Sequence, residues 1–239
     1  MTAPRDVKTD ALVVGSMRYG EADRILTLYT RDRGRVSAIA KGVRRPKSKI
    51  GGRLEPFSLV RMVLHQGRTL YTVTGAETVR TFQGAREQLY RIEEGSRLLE
   101  TIRRLFPEEE RNTAAFNLLV RGVARLAAAA DRPTAARVVL ATRVKLLLTL
   151  GYLPELDSCV QCGADEVLCG FDPSLGGMLC RDCFAEGAHD CFTMSPAGLT
   201  ALRDLLELPL AALDDLDLEA PAAVEVERAL TRVLSYHGH

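Results

Sequence analysis

Four of the six cysteines are spaced for metal binding. Cys159 and Cys162 are separated by two residues, as are Cys180 and Cys183, and seventeen residues lie between the two pairs. That is the C-x2-C-x15–20-C-x2-C arrangement of a structural zinc site. Two intervening residues let one tight turn aim both thiolates at a single ion, and two such turns complete a tetrahedron with no position open to a substrate. The expected cofactor is one structural Zn2+ on Cys159, Cys162, Cys180 and Cys183. Gly163 and Gly176-Gly177 supply the permissive backbone such turns use. A disulfide framework fits less well, because the opening MTAPRDVKTD carries no apolar secretory segment. A redox CxxC would need no second copy. Cys169 and Cys191 fall outside the paired spacing and read as partly buried free thiols, and His189 is a poor substitute ligand. The H-x-E and P-C-x-x-C signature of a zinc deaminase does not occur, since His65 precedes Gln66-Gly67 and His189 precedes Asp190-Cys191. With four histidines in the chain, there is little material for a Ser-His-Asp or Cys-His arrangement.

The second constellation is cationic. Between Gly42 and Arg53, five of twelve residues are Lys or Arg: Arg44, Arg45, Lys47, Lys49 and Arg53. Lys41 stands at the entrance and Arg35 on the strand leading in. So dense a run of like charge repels itself unless anions are near, which makes it the best candidate for binding nucleic-acid phosphates. Three glycines and a proline argue against regular structure there, and the loop is expected to be mobile and to contribute little core. Lys47-Ser48 after Gly42 superficially suggests a nucleotide P-loop, but Lys41 and Pro46 stand where its glycines would be. Proline has no amide to offer a phosphate, so ATP binding is excluded.

These residues sit on two kinds of element. From Ala11 to Thr74 the pattern is period-two: Leu26, Leu28 and Thr30 alternate with Ile25, Thr27 and Tyr29, and Ser58, Val60, Met62 and Leu64 with Leu59, Arg61 and Val63. Five strands are expected (11–16, 25–30, 35–41, 56–64 and 69–74), with tight turns at Asp32-Arg33-Gly34 and Gln66-Gly67-Arg68, which suits a small closed barrel. From residue 84 to 150 the spacing becomes helical: Leu89, Ile92, Leu99, Ile102 and Phe106, then Phe116, Leu119 or Val120, Val123 and Leu126, then Val139, Leu146 and Leu150. Arg121, Arg125, Arg137, Arg143 and Lys145 read as solvated helix faces. After the cysteines, Ser195-Pro196 and Pro221 open two more helices. The fold class is α+β, with a basic barrel over 1–80, a helical bundle over 81–157, a zinc module over 158–193, and helices over 194–239 that pack with the helical part.

Of the 239 residues, 46% are apolar and 26% charged, the balance of a globular protein, and no stretch is apolar enough to span a membrane. The formal net charge of +1 conceals a gradient. Residues 1–80 hold 16 Lys and Arg against 7 Asp and Glu, whereas residues 158–239 hold 4 against 14. A basic head suggests a polyanionic partner. Tyr19, Tyr29, Phe57 and Tyr71 are the nearby residues able to stack on bases, and most are expected in the barrel core.

Taken together, RDRGRVSAIAKGVRRPKS from Arg31 to Ser48, LEPF from Leu54, GYLP from Gly151, the Cys159-x2-Cys162-Gly163 knuckle, and Gly176-Gly177 leading to Cys180-x2-Cys183 resemble the bacterial RecO family of DNA repair proteins. The order of segments matches over essentially the whole chain. The resemblance implies an N-terminal OB-fold, a helical middle and a zinc module embedded in the C-terminal helices. It also implies a non-enzymatic role: binding single- and double-stranded DNA, annealing complementary strands, and, with RecR, loading recombinase onto strands coated by single-strand binding protein. A cytoplasmic, nucleoid-associated location follows. If the acidic tail of single-strand binding protein is engaged, an exposed apolar groove with Lys or Arg is needed, which points to the helical middle. A zinc-containing transcription or translation factor with an OB-fold is the alternative. A metal-dependent nuclease would need clustered carboxylates that the head lacks.

Overall fold

The computed structural model describes residues 6–48, 50–165, 167–186 and 190–237. Lys49, His189 and the terminal segments, on which some expectations rest, lie outside the described residues. The chain gathers into two compact units, residues 1–135 and 136–239.

In the first unit the period-two segments become strands β1 (Asp6–Tyr19), β2 (Asp23–Thr30), β3 (Gly34–Ala40), β4 (Leu59–His65) and β5 (Tyr71–Arg80), closed in the order β1-β2-β3-β5-β4. Every pairing is antiparallel except β3 with β5, where Ala38 faces Tyr71 and Ile39 faces Thr72 in parallel. This is the OB-type barrel. Strand β1 serves two neighbours, with 6–12 on β4 and 11–19 on β2, and an irregularity between Val13 and Gly15 interrupts its pairing with β2.

Inward positions follow the alternation: Ala11 and Val13, Leu26 and Leu28, Val36, Ala38 and Ala40, Val60, Met62 and Leu64, Tyr71 and Val73 form one buried cluster. Two more members, Val43 and Leu54, come from the connection between β3 and β4, and Ile50 packs against them. The loop therefore does contribute core, contrary to expectation. A five-stranded barrel leaves a gap that side chains must fill, and the connection fills it. The connection is also more regular than its glycines and proline suggest. Arg45 N–H donates to the Gly42 carbonyl, Ser48 N–H to that of Arg45, and Gly51–Arg53 forms one 3-10 turn.

Helices α1 (Leu89–Leu105) and α2 (Thr113–Ala128) complete this unit. The buried face of α1 is Gly95, Leu98, Leu99, Ile102 and Leu105. Leu89 and Ile92, expected on that face, are 68% and 38% exposed. The close approach begins at Gly95, where a Cβ would stand 2.6 Å from the Phe57 ring, so the turn before it remains in solvent. Arg103 donates to the Val14 carbonyl at 2.7 Å, satisfying a group beside the β1 irregularity. The Asn112 side chain caps α2 by accepting from Ala115 N–H at 2.9 Å.

Residues 106–110 run along β3. Glu109 N–H donates to the Arg35 carbonyl at 2.8 Å, and Arg35 Nε donates to the Phe106 carbonyl at 2.7 Å. Gly34 sits beneath this segment with φ +64°, and a Cβ there would meet the Glu110 carbonyl at 1.8 Å.

Helix α3 (Arg132–Thr149) leads into the second unit, where Val138, Val139, Leu140, Val144, Leu146 and Leu147 are buried. Its cations are not a solvated face. Arg143 is 4% exposed and bonds both carboxylate oxygens of Glu227 at 2.6–2.7 Å. Arg137 donates to the Leu216 carbonyl and Lys145 to that of Leu206. Strands β6 (Leu168–Asp172), β7 (Gly177–Cys180) and β8 (Phe192–Thr193) form a small sheet ordered β7-β6-β8, with the short α4 (Arg181–Ala185) following β7. Helix α5 (Pro196–Glu207) begins at a Ser195 cap as expected, and α6 (Ala220–His237) packs against it.

Replacing Gly34 by Ala should destabilise the first unit by at least about 2 kcal/mol, because it combines a left-handed backbone with a collision against a carbonyl. Thermal unfolding should show Tm lowered by several degrees, whereas the same change at Gly52, with open space around it, should leave Tm within about a degree.

Candidate metal centre and basic barrel loop

Local hydrogen bonding shapes the first knuckle. Cys159 N–H donates to the Ala164 carbonyl at 2.7 Å and Gly163 N–H to the Cys159 carbonyl at 2.8 Å, while Gly163, at φ +77°, reverses the chain. Glu155 anchors this knuckle. Its carboxylate accepts from the amides of Asp157 and Ser158 at 2.9 and 3.1 Å, which holds its pKa below the usual carboxylate range. Its main chain joins the β6–β7 hairpin, with Glu155 N–H donating to Gly176 O and Met178 N–H to Glu155 O. The second knuckle runs from the end of β7 into α4, with Cys180 at the helix N-cap and Cys183 one turn in. Phe184 of α4 lies over Gly170 of β6, where any Cβ would be 2.2 Å from its ring.

These elements bring the sulfurs of Cys159, Cys162, Cys180 and Cys183 within 4.8 Å of one another. Cys162 Sγ lies 3.8 Å from Cys180 Sγ, far beyond the ~2.05 Å of a disulfide. A tetrahedron with ~2.3 Å metal–sulfur bonds has sulfur–sulfur edges of ~3.8 Å, so the four ligand atoms fit a metal ion such as zinc. Three of the cysteines are buried and Cys162 is exposed. Burial raises the Cys159 thiol, but donation from the amides of Cys180, Cys162 and Gln161 outweighs it and brings the pKa down to about 6. Burial, and then the neighbouring thiols, push Cys183 up. A bound dication would favour deprotonation of all four. Cys169 and Cys191 are half-buried and outside the cluster.

On the barrel, Lys41, Arg44, Arg45, Lys47 and Arg53 are exposed. Arg44 donates to the carbonyls of Gly20 and Glu21, and Arg53 to that of Ala76, so both are oriented by the barrel. Gly42 N–H donates to the Asp23 carboxylate at 2.7 Å and Arg44 N–H to the Ala22 carbonyl, tying the loop to the β1–β2 turn. Arg35 is placed differently: besides Phe106, it reaches the Glu108 carboxylate at 3.3 Å. Of the four aromatics, Tyr29, Phe57 and Tyr71 are buried as expected, while Tyr19 is 53% exposed on the hairpin that Arg44 grips, with Met17 two residues before it. Strand alternation alone places Tyr19 and Met17 on one face.

An OB-type barrel with an anchored cationic loop, joined to a helical unit carrying a closed four-cysteine centre, defines an α+β protein whose cysteines are suited to structure. Residues 1–82 match the family model described as Recombination protein O N terminal, and residues 86–238 that described as Recombination protein O C terminal. The chain belongs to the RecO family of DNA repair proteins. It is 42% identical over 233 residues to DNA repair protein RecO of Rubrobacter xylanophilus, covering 96% of this chain and 90% of the relative. Proteins of the same name from Pelotomaculum thermopropionicum and a Nocardioides species are each 38% identical, with 96% of this chain covered and 88% and 92% of the relatives. Among the described residues, no helix is long and apolar enough to cross a membrane.

Metal analysis of protein purified without chelator should find one ion per chain, and Cys162→Ser should lose it. Because metal binding is coupled to folding of the knuckles, the variant should lose several kcal/mol, read as a fall in Tm of roughly 10 °C.

Proposed function

We propose that this chain is a non-enzymatic mediator of recombinational DNA repair. It binds single- and double-stranded DNA, anneals complementary strands and, with RecR, helps load recombinase onto strands coated by single-strand binding protein. The barrel over 1–80 is the DNA-binding domain, the helical segment over 81–157 carries the protein contact, the module over 158–193 holds one structural zinc, and 194–239 packs with the helical part. The setting is the bacterial cytoplasm, at the nucleoid. Family membership supports the repair role.

The observation that carries the DNA-binding reading is the exposed array of Lys41, Arg44, Arg45, Lys47 and Arg53, held on a connection whose Val43 and Leu54 are fixed in the barrel core. Lys49 adds charge to the same run, and Arg35, two of whose five donors are engaged by Phe106 and Glu108, adds a cation on the strand leading in. Annealing requires that phosphates be held while base edges stay free, which favours charge over base readout. Tyr19 and Met17 offer a stacking surface beside the loop. For the acidic tail of single-strand binding protein, Val120 and Arg121 of α2 line a shallow cavity with Asn117 that joins an apolar side chain to a cation.

Replacing Arg44, Arg45 and Lys47 by Ala should weaken binding to all single strands alike and flatten the slope of log affinity against log salt by about 1.4 to 2.1, the share of two to three phosphate contacts. Annealing without ATP or added magnesium should slow in parallel. The loop core is untouched by these changes, so Tm should hold within a few degrees. A folded triple variant with unchanged affinity and slope would move the DNA site elsewhere, and strand cleavage by the wild type would make the protein a nuclease.

A further inference from the structure

A second cationic surface lies at the far end of the β2–β3 hairpin from the point where the 41–53 loop begins. Lys8 of β1, Arg31 at the end of β2, Arg61 of β4 and Arg111, just before α2, line a cavity of about 520 Å3 together with Thr9, Asp10 and Asp32. The four cations come from distant parts of the first unit, and all are exposed. The two carboxylates are already engaged. Asp10 takes both Nε and Nη2 of Arg61, at 2.9 and 3.3 Å, and Asp32 accepts the Thr9 hydroxyl at 2.8 Å. Arg61 is thereby held in place. Lys8, Arg31 and Arg111 make no ion pair among the described residues. Four positive against two negative groups leave a net positive cavity without an apolar floor, which suits an extended phosphodiester chain better than a small apolar-bodied ligand.

Its position is fixed by strand register. The β2–β3 hairpin runs in continuous pairing from Arg24 opposite Ala40 to Thr30 opposite Gly34. The loop leaves the Ala40 end, and the cavity lies at the Thr30 end. Six intervals at ~3.3 Å put the start of the loop about 20 Å from the cavity along this hairpin. The other end of the loop comes nearer, since Arg53 bonds the Ala76 carbonyl and Ala76 pairs with Met62, next to Arg61, but no residue is shared between the two surfaces.

We propose that the cavity of Lys8, Arg31, Arg61 and Arg111 is a second phosphate-binding site, which holds the backbone of one nucleic-acid strand while the 41–53 loop holds another. The proposal rests on the DNA-binding reading above and supplies what annealing requires, two strands on one chain at once.

The test counts strands. At low salt, sedimentation with a short labelled oligonucleotide should give two bound per wild-type chain. Arg31→Ala combined with Arg111→Ala should give one, leave affinity at the remaining site within about twofold, and slow annealing by tenfold or more. The matching Lys,Lys variant should recover most of the rate, because charge is kept. Lys8→Gln with Arg111→Gln provides a second pair should the Arg31 change prevent folding, and Lys8→Gln with Arg31→Gln one should the Arg111 change do so. Two oligonucleotides bound and unaltered annealing in a folded double variant would overturn the second site, as would a wild type that saturates at one. A wild type that binds none would instead overturn the DNA-binding reading itself.

Discussion

Closure of the barrel rests on a short contact. Strand β5 meets β3 in parallel over two residue pairs, Ala38 with Tyr71 and Ile39 with Thr72. Parallel pairing over so few residues contributes little by itself, and the rest of the β3 edge needs another partner. The chain provides it from residues 106–110, which bond to the Arg35 main chain and receive its guanidinium. Gly34 is the permissive residue that lets this segment lie flush. Inside, the small Ala38 and Ala40 share one buried cluster with Val43 and Leu54, which the connection supplies to complete it. The outward cations owe their placement to this closure, since each is borne by a strand, a turn or a connection that the barrel fixes.

The barrel and the cysteine module solve the problem of stability differently. The barrel buries fourteen apolar side chains in one cluster, whereas the cysteine module has a three-stranded sheet, a five-residue helix and a cluster built mainly from its own thiols. So small a module cannot bury enough surface to offset its chain entropy, and a metal is the usual remedy. Position matters too: with every ligand direction filled by sulfur, the ion would cross-link a turn, a strand end and a helix start without presenting a reactive site.

Features set by local spacing were legible in the sequence. Alternation at Leu26 and Leu28 or at Val60, Met62 and Leu64 has period two whatever the tertiary context, and the paired CxxC turns need only their own backbone to converge. Features set by contacts across long separations were not. Arg35 reads as an exposed cation, yet its partners lie more than seventy residues downstream. Leu89 and Ile92 fit a helical stripe, but Gly95 decides where the helix touches the barrel. Arg143 looks solvated until Glu227, eighty-four residues away, comes to meet it. The cavity of Lys8, Arg31, Arg61 and Arg111 belongs to the same class, since its members share no motif and meet only through strand register.

Strand β1 pairs with β2 through its second half and with β4 through its first. The β1–β2 and β2–β3 hairpins are local and can zip on a microsecond scale. Joining Asp6 to His65 must instead close a loop of nearly sixty residues, so its entropic cost comes due before its hydrogen bonds form. During synthesis at ~5–20 residues per second, the nascent three-stranded meander would therefore wait several seconds with its apolar inner face and two open edges exposed. That places the barrel among the segments of this protein most in need of shelter at the ribosome, long before the cysteines have been translated.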